Sequence, residues 1–568
     1  METALALLRG SRRQLAGAVL SGALSGLGLA GLIALINTAL ATPRADLPPL
    51  VAAFAALCAM VFVSRTYSEM LLVRLSQRMI ATLRGELSRQ ILASPLRRLE
   101  AQGAHRLLAA LTEDVQKIAA LLTRLPTFCI NTAVAAGCFL YMGWLSIPMM
   151  LAAVVCIGLA VGGFCMAQGR AQEALGRSRD AGDRLYKHFI AVTEGAKELQ
   201  LHEGRRRAFL AGHMDVTAAS VGDNFVAGMS IYARAESLAL LVFFVFIGLL
   251  IFLPPSLTSQ DSLVLTGFAL TFLYLITPIE VLVNTAPDFG NFRVALKTLG
   301  DLQLTLGRTA PTGAAPAPTQ AFENLVFADV THAYRREHED GSFLLGPITL
   351  SFSPGETVFI TGGNGSGKTT LAKLLVGLYA PDSGQVRING RPVDDDLGRD
   401  AHRQRFSAIF SDFYLFDELL GLENPAKLAE ANELLKLLRL DHKVTLDQGR
   451  FSTTALSQGQ RKRLALLGAV LEDRPLYLFD EWAADQDPVF KRIFYAQILP
   501  MLKARGKVII AITHDDAYFH LADRHIKLEF GKIIAQDAPA AQATPATGGQ
   551  HQSGITGSTR VASCASDT

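Results

Sequence analysis

The stretch Gly362-Gly363-Asn364-Gly365-Ser366-Gly367-Lys368-Thr369-Thr370 sets four glycines ahead of one lysine and two hydroxyls. Glycines lack a Cβ, so main-chain N–H groups can close around phosphate oxygens; Lys368 adds a cation for the β and γ phosphates, and Thr369 is placed to hold Mg²⁺. Farther along, Leu476-Tyr-Leu-Phe-Asp480-Glu481 is an apolar run ending in two acids. Phosphoryl transfer needs such charge neutralisation and positioning: Asp480 can bind Mg²⁺ through water and Glu481 can polarise the attacking water. A strand ending in two acids is also an ordinary solvated strand end, and it is the upstream glycine loop that favours the chemical reading.

These residues need a scaffold that turns a strand into a loop and the loop into a helix. Val358-Phe-Ile-Thr-Gly362 supplies the strand, and Thr369 to Gly377 has a helical pattern, which is the context a P-loop requires. Strand-like runs at Glu356 to Ile360, Leu476 to Phe479 and Lys507 to Ile512 alternate with helical ones, predicting an α/β domain with a largely parallel sheet over 322–537. The Pro, Ala and Thr-rich stretch 308–321 reads as a linker, and the Ala, Pro, Thr, Ser and Gly-rich 538–568 as a disordered tail.

The remaining part, 1–307, is of another kind. A chain of 568 residues exceeds one core, and half hydrophobic with 18% charged residues and a mean hydropathy of +0.28 points to membrane segments. Runs long enough to cross a bilayer are Leu15 to Leu40, Leu50 to Leu72, Leu125 to Trp144, Ile147 to Ala167, Ile231 to Leu253 and Leu263 to Val283. Arg9, Arg12 and Arg13 precede the first, which is too long for a signal-peptide core and is expected to stay as a span. The long connections 74–122 and 168–230 are rich in arginine, so the positive-inside rule puts them and both termini in the cytoplasm. Helices are expected to run on into these connections, with tips that could touch the soluble domain. A net charge of +3 on this length does not suggest nucleic-acid binding. Cys58, Cys129, Cys138, Cys156 and Cys165 lie in apolar stretches and Cys564 in the tail, with neither a disulfide framework nor zinc spacing. Arg65 and Glu69, four apart, predict an ion pair on one helix face. Glu280, after Pro278 and with Asn284 on the same face, is the candidate for a polar patch in a translocation pathway, against an interfacial position facing water.

Leu456-Ser457-Gln458-Gly459-Gln460-Arg-Lys-Arg, shortly before Asp480-Glu481, resembles the signature of ATP-binding-cassette (ABC) transporters. The resemblance implies six membrane helices followed by a P-loop ATPase domain, with ATP and Mg²⁺ as ligands. It implies that His514 is the switch histidine touching the γ phosphate, that Ala484-Asp485-Gln486-Asp487 is the D-loop, and that Tyr334 stacks on adenine. Taken singly, His514 could be a strand-end histidine and Tyr334 a core residue. One position departs from the family: Ser411, followed by Asp412, stands where the Q-loop has glutamine, which puts direct contact of that loop with the metal in doubt. Phe406-Ser-Ala-Ile-Phe-Ser-Asp-Phe-Tyr-Leu-Phe416, together with Glu194-Gly-Ala-Lys-Glu-Leu-Gln-Leu-His202, resembles the exporters of cyclic peptides and pyoverdine-type siderophores.

In the family, ATP lies between the P-loop of one ATPase domain and the signature of another, so the resemblance implies a homodimer with two competent sites, Ser457 and Gly459 of one chain facing the nucleotide held by Lys368 of the other. Membrane domain fused ahead of ATPase resembles exporters. The expectation is export of a peptide-derived compound, a cyclic peptide or a siderophore or its precursor, across a bacterial inner membrane among membrane lipids. A lipid or lipopeptide flippase shares the architecture, and a membrane ATPase that moves nothing is the rival of another class.

Overall fold

The computed structural model describes residues 12–42, 47–252, 262–306, 321–335 and 342–537. These fall into two compact units, Met1–Ser94 with Arg98–Thr309, and Pro95–Arg97 with Ala310–Thr568. The expected linker and tail lie outside the described residues, apart from residue 321.

Six helices among the described residues are long and apolar enough to cross a membrane. They build on α1 (Arg12–Ala41), α2 (Leu47–Ala93), α3 (Val115–Leu145), α4 (Ile147–Glu194), α5 (Asp215–Phe252) and α6 (Ser262–Leu306). Each coincides with one apolar run read from the sequence, the last residue of the fifth run, Leu253, lying outside the described residues, and α2, α4, α5 and α6 extend well past their runs at one end. Between α2 and α3 come short helices at Leu96–Gln102 and Ala104–Ala109 and a π-helical turn at Ala110–Asp114; between α4 and α5 come Ala196–Leu201, Glu203–Phe209 and a π turn at Leu210–Met214. The long connections are thus helical, as their composition permits. Small buried residues on α4, including Ala153, Ala160, Ala171 and Ala181, let α5 run close along it, since close backbone approach replaces a hydrophobic drive between lipid-embedded helices. Ser178 Oγ donates to Val221 O across this pair at 2.9 Å. Phe243 and Phe246 of α5 lie 5.3 and 4.7 Å from Phe272 of α6, ring centre to ring centre. Arg65 Nε and Glu69 Oε1 pair at 3.0 Å, as their spacing predicts.

The second unit is α/β. A six-stranded sheet has the order β12-β11-β3-β10-β9-β6, from β3 (Thr357–Thr361), β6 (Phe406–Ile409), β9 (Leu476–Asp480), β10 (Val508–Ile512), β11 (Arg524–Glu529) and β12 (Lys532–Asp537). All its neighbours pair parallel except β11 and β12. Every residue of β3, β9 and β10 is buried, as parallel strands covered on both faces require. The unit also holds a four-stranded antiparallel sheet of order β2-β1-β4-β5, from β1 (Leu325–Arg335), β2 (Ser342–Phe352), β4 (Ser383–Ile388) and β5 (Arg391–Pro392), and a short antiparallel pair, β7 (Leu446–Asp447) with β8 (Arg450–Phe451). Two helices matter for the site: α7 (Lys368–Leu375), which follows β3, and α8 (Gln458–Glu472), which precedes β9. One apolar core contains Leu345, Ile360, Leu371 and Ile510; the other contains Phe359, Leu467, Tyr477 and Trp482.

Candidate functional site

Ligand sites in parallel α/β sheets form beyond the carboxyl ends of the strands, and this sheet brings three functional segments to one such edge. β10 lies between β3 and β9, with Ile512 opposite Ile360 and opposite Asp480. The glycine loop leaving β3, the two acids ending β9 and His514 just past β10 therefore converge, although 152 positions separate Gly362 from His514 (514 − 362).

Gly367 ends the loop in the left-handed region at φ 99°, and α7 starts at Lys368. A side chain at 367 would be strained there and would meet the Phe343 ring at 3.0 Å. Lys368 is buried, and its Nζ donates to Gly362 O at 3.0 Å and Gly363 O at 3.1 Å, so the ammonium sits over the loop that would hold phosphates. Its Nζ is also 3.9 Å from Glu481 Oε1, and His514 Nε2 is 3.6 Å from the same oxygen. Lysine, glutamate and histidine thus form one polar cluster at the mouth of the loop.

Asp480 is 1% exposed; both its carboxylate oxygens are buried, with the Thr369 hydroxyl and the Ser411 N–H directed at the carboxylate but no hydrogen bond of good geometry closing on either oxygen. Burial pushes its carboxyl above the usual carboxylate range, against the nearby Thr369 hydroxyl and Lys368 ammonium. A buried carboxylate left with free acceptors costs stability unless a cation or water satisfies it. Beside the hydroxyl of Thr369, this donor set fits Mg²⁺, a cation that takes oxygen ligands. Ser366 Oγ is likewise buried without a partner, as a group awaiting a phosphate would be.

Glu481 follows Asp480 in the left-handed conformation, φ 51° and ψ 35°, ahead of a 3₁₀ turn at Trp482–Asp485. A non-glycine residue there costs roughly 1–3 kcal/mol, so its surroundings must hold it. Glu481 N donates to Ile512 O at 3.1 Å, and Lys462 Nζ donates to Glu481 O at 2.9 Å. Lys462 escaped the sequence reading because it stands between Arg461 and Arg463 in a run that reads as a solvated helix face; its burial to 2% exposure comes only from the fold.

The signature residues begin α8. Ser457 caps it in a capping box with Gln460, whose Oε1 accepts from Ser457 N at 3.3 Å, leaving the positive helix end and a hydroxyl together. Their other bonds go to the turn after β9. Gln458 Nε2 donates to Asp485 Oδ2 at 3.3 Å, and Gln486 Nε2 to Gly459 O at 3.0 Å. A Cβ on Gly459 would lie 2.8 Å from Asp485 O, so this approach requires glycine. Asp487 caps the helix Pro488–Ile493 and pairs with Arg463 at 2.9 Å; the Phe490 N–H, ahead of that guanidinium, holds its carboxyl below the usual range. Among the described residues no hydrogen bond or ion pair joins Ser457–Gln460 to the glycine loop. Ser411 and Asp412 are exposed beyond β6, which borders β9. Tyr334 lies in β1 opposite Phe343; its side chain is outside the described residues.

In the membrane unit, Glu280 and Asn284 of α6 line a cavity of about 110 Å³ with Glu236 of α5 and apolar walls that include Phe164, Phe243 and Ile276. Tyr232 OH donates to Asn284 Oδ1 at 2.5 Å.

The family model described as "ABC transporter" matches residues 345–484, and that described as "ABC transporter transmembrane region" matches 15–276. The "ATP-binding protein SyrD" of Pseudomonas syringae pv. syringae is 37% identical over 477 residues, 81% of this chain and 83% of that protein. The chain belongs to the ABC transporter family. The "ATP-dependent lipid A-core flippase" of Bordetella pertussis is 24% identical to this transporter over 85% of its length and 78% of the flippase. A solved bacterial Atm1-family ABC exporter with ATP bound has the same fold, with a TM-score of 0.70 at 17% identity over 93% of this chain and 95% of that one. The transporter is thus a multi-pass membrane protein of the exporter type that binds ATP and couples its hydrolysis to transport.

Proposed function

We propose that two copies of this chain form a homodimer in a bacterial inner membrane, both termini cytoplasmic, that exports a peptide-derived compound by alternating access. One observation carries the dimer: the signature residues are bonded to the turn after β9 of their own chain, not to its glycine loop, so each chain holds two half-sites that a second chain completes. In this reading 1–307 is the membrane domain, 308–321 the linker and 322–537 the ATPase domain.

ATP binds with its phosphates in the loop Gly362–Thr370, under Lys368. Tyr334 packs on the adenine, and Ser457, Gln458, Gly459, Gln460 and Asp487 come from the other chain. Thr369 and Asp480 would hold Mg²⁺, which supplies charge neutralisation at the phosphates. Glu481 orients the attacking water, and His514, 3.6 Å from its carboxylate, faces the γ phosphate. Closure of the ATPase domains passes to the spans through the long connections, with Ser411 and Asp412 at the Q-loop position. Cargo passes the cavity at Glu280 and Asn284, where two carboxylates in spanning segments beside apolar walls are costly in lipid and suit a pathway.

The cargo class rests on the segments Phe406–Phe416 and Glu194–His202, which resemble exporters of cyclic peptides and siderophores. The relationship to a lipid A-core flippase favours a second reading, a lipid or lipopeptide flippase. ATP hydrolysis in nanodiscs separates them: stimulation by cyclic peptides or siderophore precursors supports the first, and stimulation by lipids alone the second. Loss of the peptide response in Glu280→Ala would place the cavity on the path; an unchanged response would remove it.

A further inference from the structure

We propose that Lys462 is a positioning residue for hydrolysis: its ammonium fixes the main chain of Glu481 and locks that residue, the D-loop and the signature into one body. The inference rests on Glu481 being the hydrolytic carboxylate. Lys462 is 2% exposed and spends its charge on two acceptors, Glu481 O at 2.9 Å and Asp485 Oδ2 at 2.7 Å. Its own carbonyl accepts from Trp482 Nε1 at 2.8 Å. The residue therefore grips both ends of the segment 481–485 while belonging to the helix that begins with the signature.

Three physical points give this arrangement a catalytic meaning. Glu481 occupies a left-handed backbone conformation that an L-residue leaves unless it is held. A charge-assisted donor on its carbonyl fixes that peptide plane, and with it the direction in which the Glu481 side chain leaves the backbone. The same ammonium neutralises Asp485, whose Oδ2 also accepts from Gln458 Nε2, so the signature residue next to Ser457 is tied to the same point. Lys462 touches no reacting atom; it acts through Glu481. A shift at the signature end of α8 is then transmitted to the carboxylate that orients water, so that the residues facing one nucleotide and the acid serving the other move together.

The test compares wild type, Lys462→Gln, Lys462→Met and Glu481→Gln as full-length chains in nanodiscs, reading kcat and KM for ATP, affinity for a fluorescent ATP analogue, and Tm. The glutamine side chain is neutral and one bond shorter, so it cannot serve both acceptors. Lys462→Gln is expected to lower kcat about tenfold or more, with KM and analogue affinity within about threefold of wild type; Lys462→Met is expected to be at least as slow. A wild-type kcat in Lys462→Gln overturns the proposal, and so does a parallel loss of kcat and nucleotide affinity, which is what general loosening of the fold would give. Should Lys462→Met fail to accumulate, Lys462→Gln decides alone. Full turnover in Glu481→Gln would defeat the catalytic assignment itself; a dead Glu481→Gln beside a wild-type Lys462→Gln would defeat only the role of Lys462.

Discussion

Glu481 and His402 show two ways in which one side chain governs this protein. Glu481 sits where its carboxylate faces Lys368 and His514. Replacing it with glutamine keeps the shape and removes the base, so Glu481→Gln is expected to lower kcat by at least 100-fold, about 3 kcal/mol of barrier, while ATP-analogue binding persists. His402 concerns stability. It is 2% exposed with Nε2 2.7 Å from Leu375 O, and burial pushes its pKa down to about 4. The unfolded chain takes up that proton near pH 6.5, so it binds more protons than the folded one between about 6.5 and 4. The contribution of neutral His402 is therefore complete above pH 6.5 and is lost as pH falls toward 4, by on the order of 3 kcal/mol. Thermal unfolding across this range should show that loss, and His402→Gln should flatten it.

At the scale of elements, α8 carries two separable duties. Its capping box stabilises the helix end, and Ser457→Ala is expected to cost about 1 kcal/mol of stability, read as a fall in Tm. Gly459→Ala acts differently: the added methyl presses on Asp485 O, so ATPase activity should fall much more than Tm. Elements were legible where a period or a run announced them. The six apolar runs mark the six long helices, and the second and fourth continue as helix past Arg74 and Arg170, because a cation ends an apolar run without ending a helix. The glycine loop, Asp480-Glu481 and His514 could be read from residue type and order, yet their convergence depends on β10 lying between β3 and β9, which no local pattern contains. Lys462 and Arg463 were invisible for the reason that makes them useful: they are cations in a cationic run, and only the turn after β9 folding against α8 gives them partners.

For the whole molecule, the separation of signature and glycine loop makes a prediction that single-chain variants cannot. Lys368→Ala removes the phosphate cation and Ser457→Arg blocks the signature, so each alone should abolish ATPase activity. Chains carrying the two changes, co-expressed, should regain part of it, because a mixed dimer pairs the intact loop of one with the intact signature of the other. Absence of recovery in isolated mixed dimers would count against shared sites.

The unbroken length of α2 bears on how such a dimer could do work. Its 47 residues span about 70 Å at the rise of an α-helix, with no proline after its first turn. Such a rod behaves as a lever: pivoted near one end, a tilt of about 5° would sweep the far end through roughly 6 Å, about the pitch of one helical turn. Ångström-scale rearrangements around a nucleotide are then sufficient input, because the geometry of the helix itself supplies the gain.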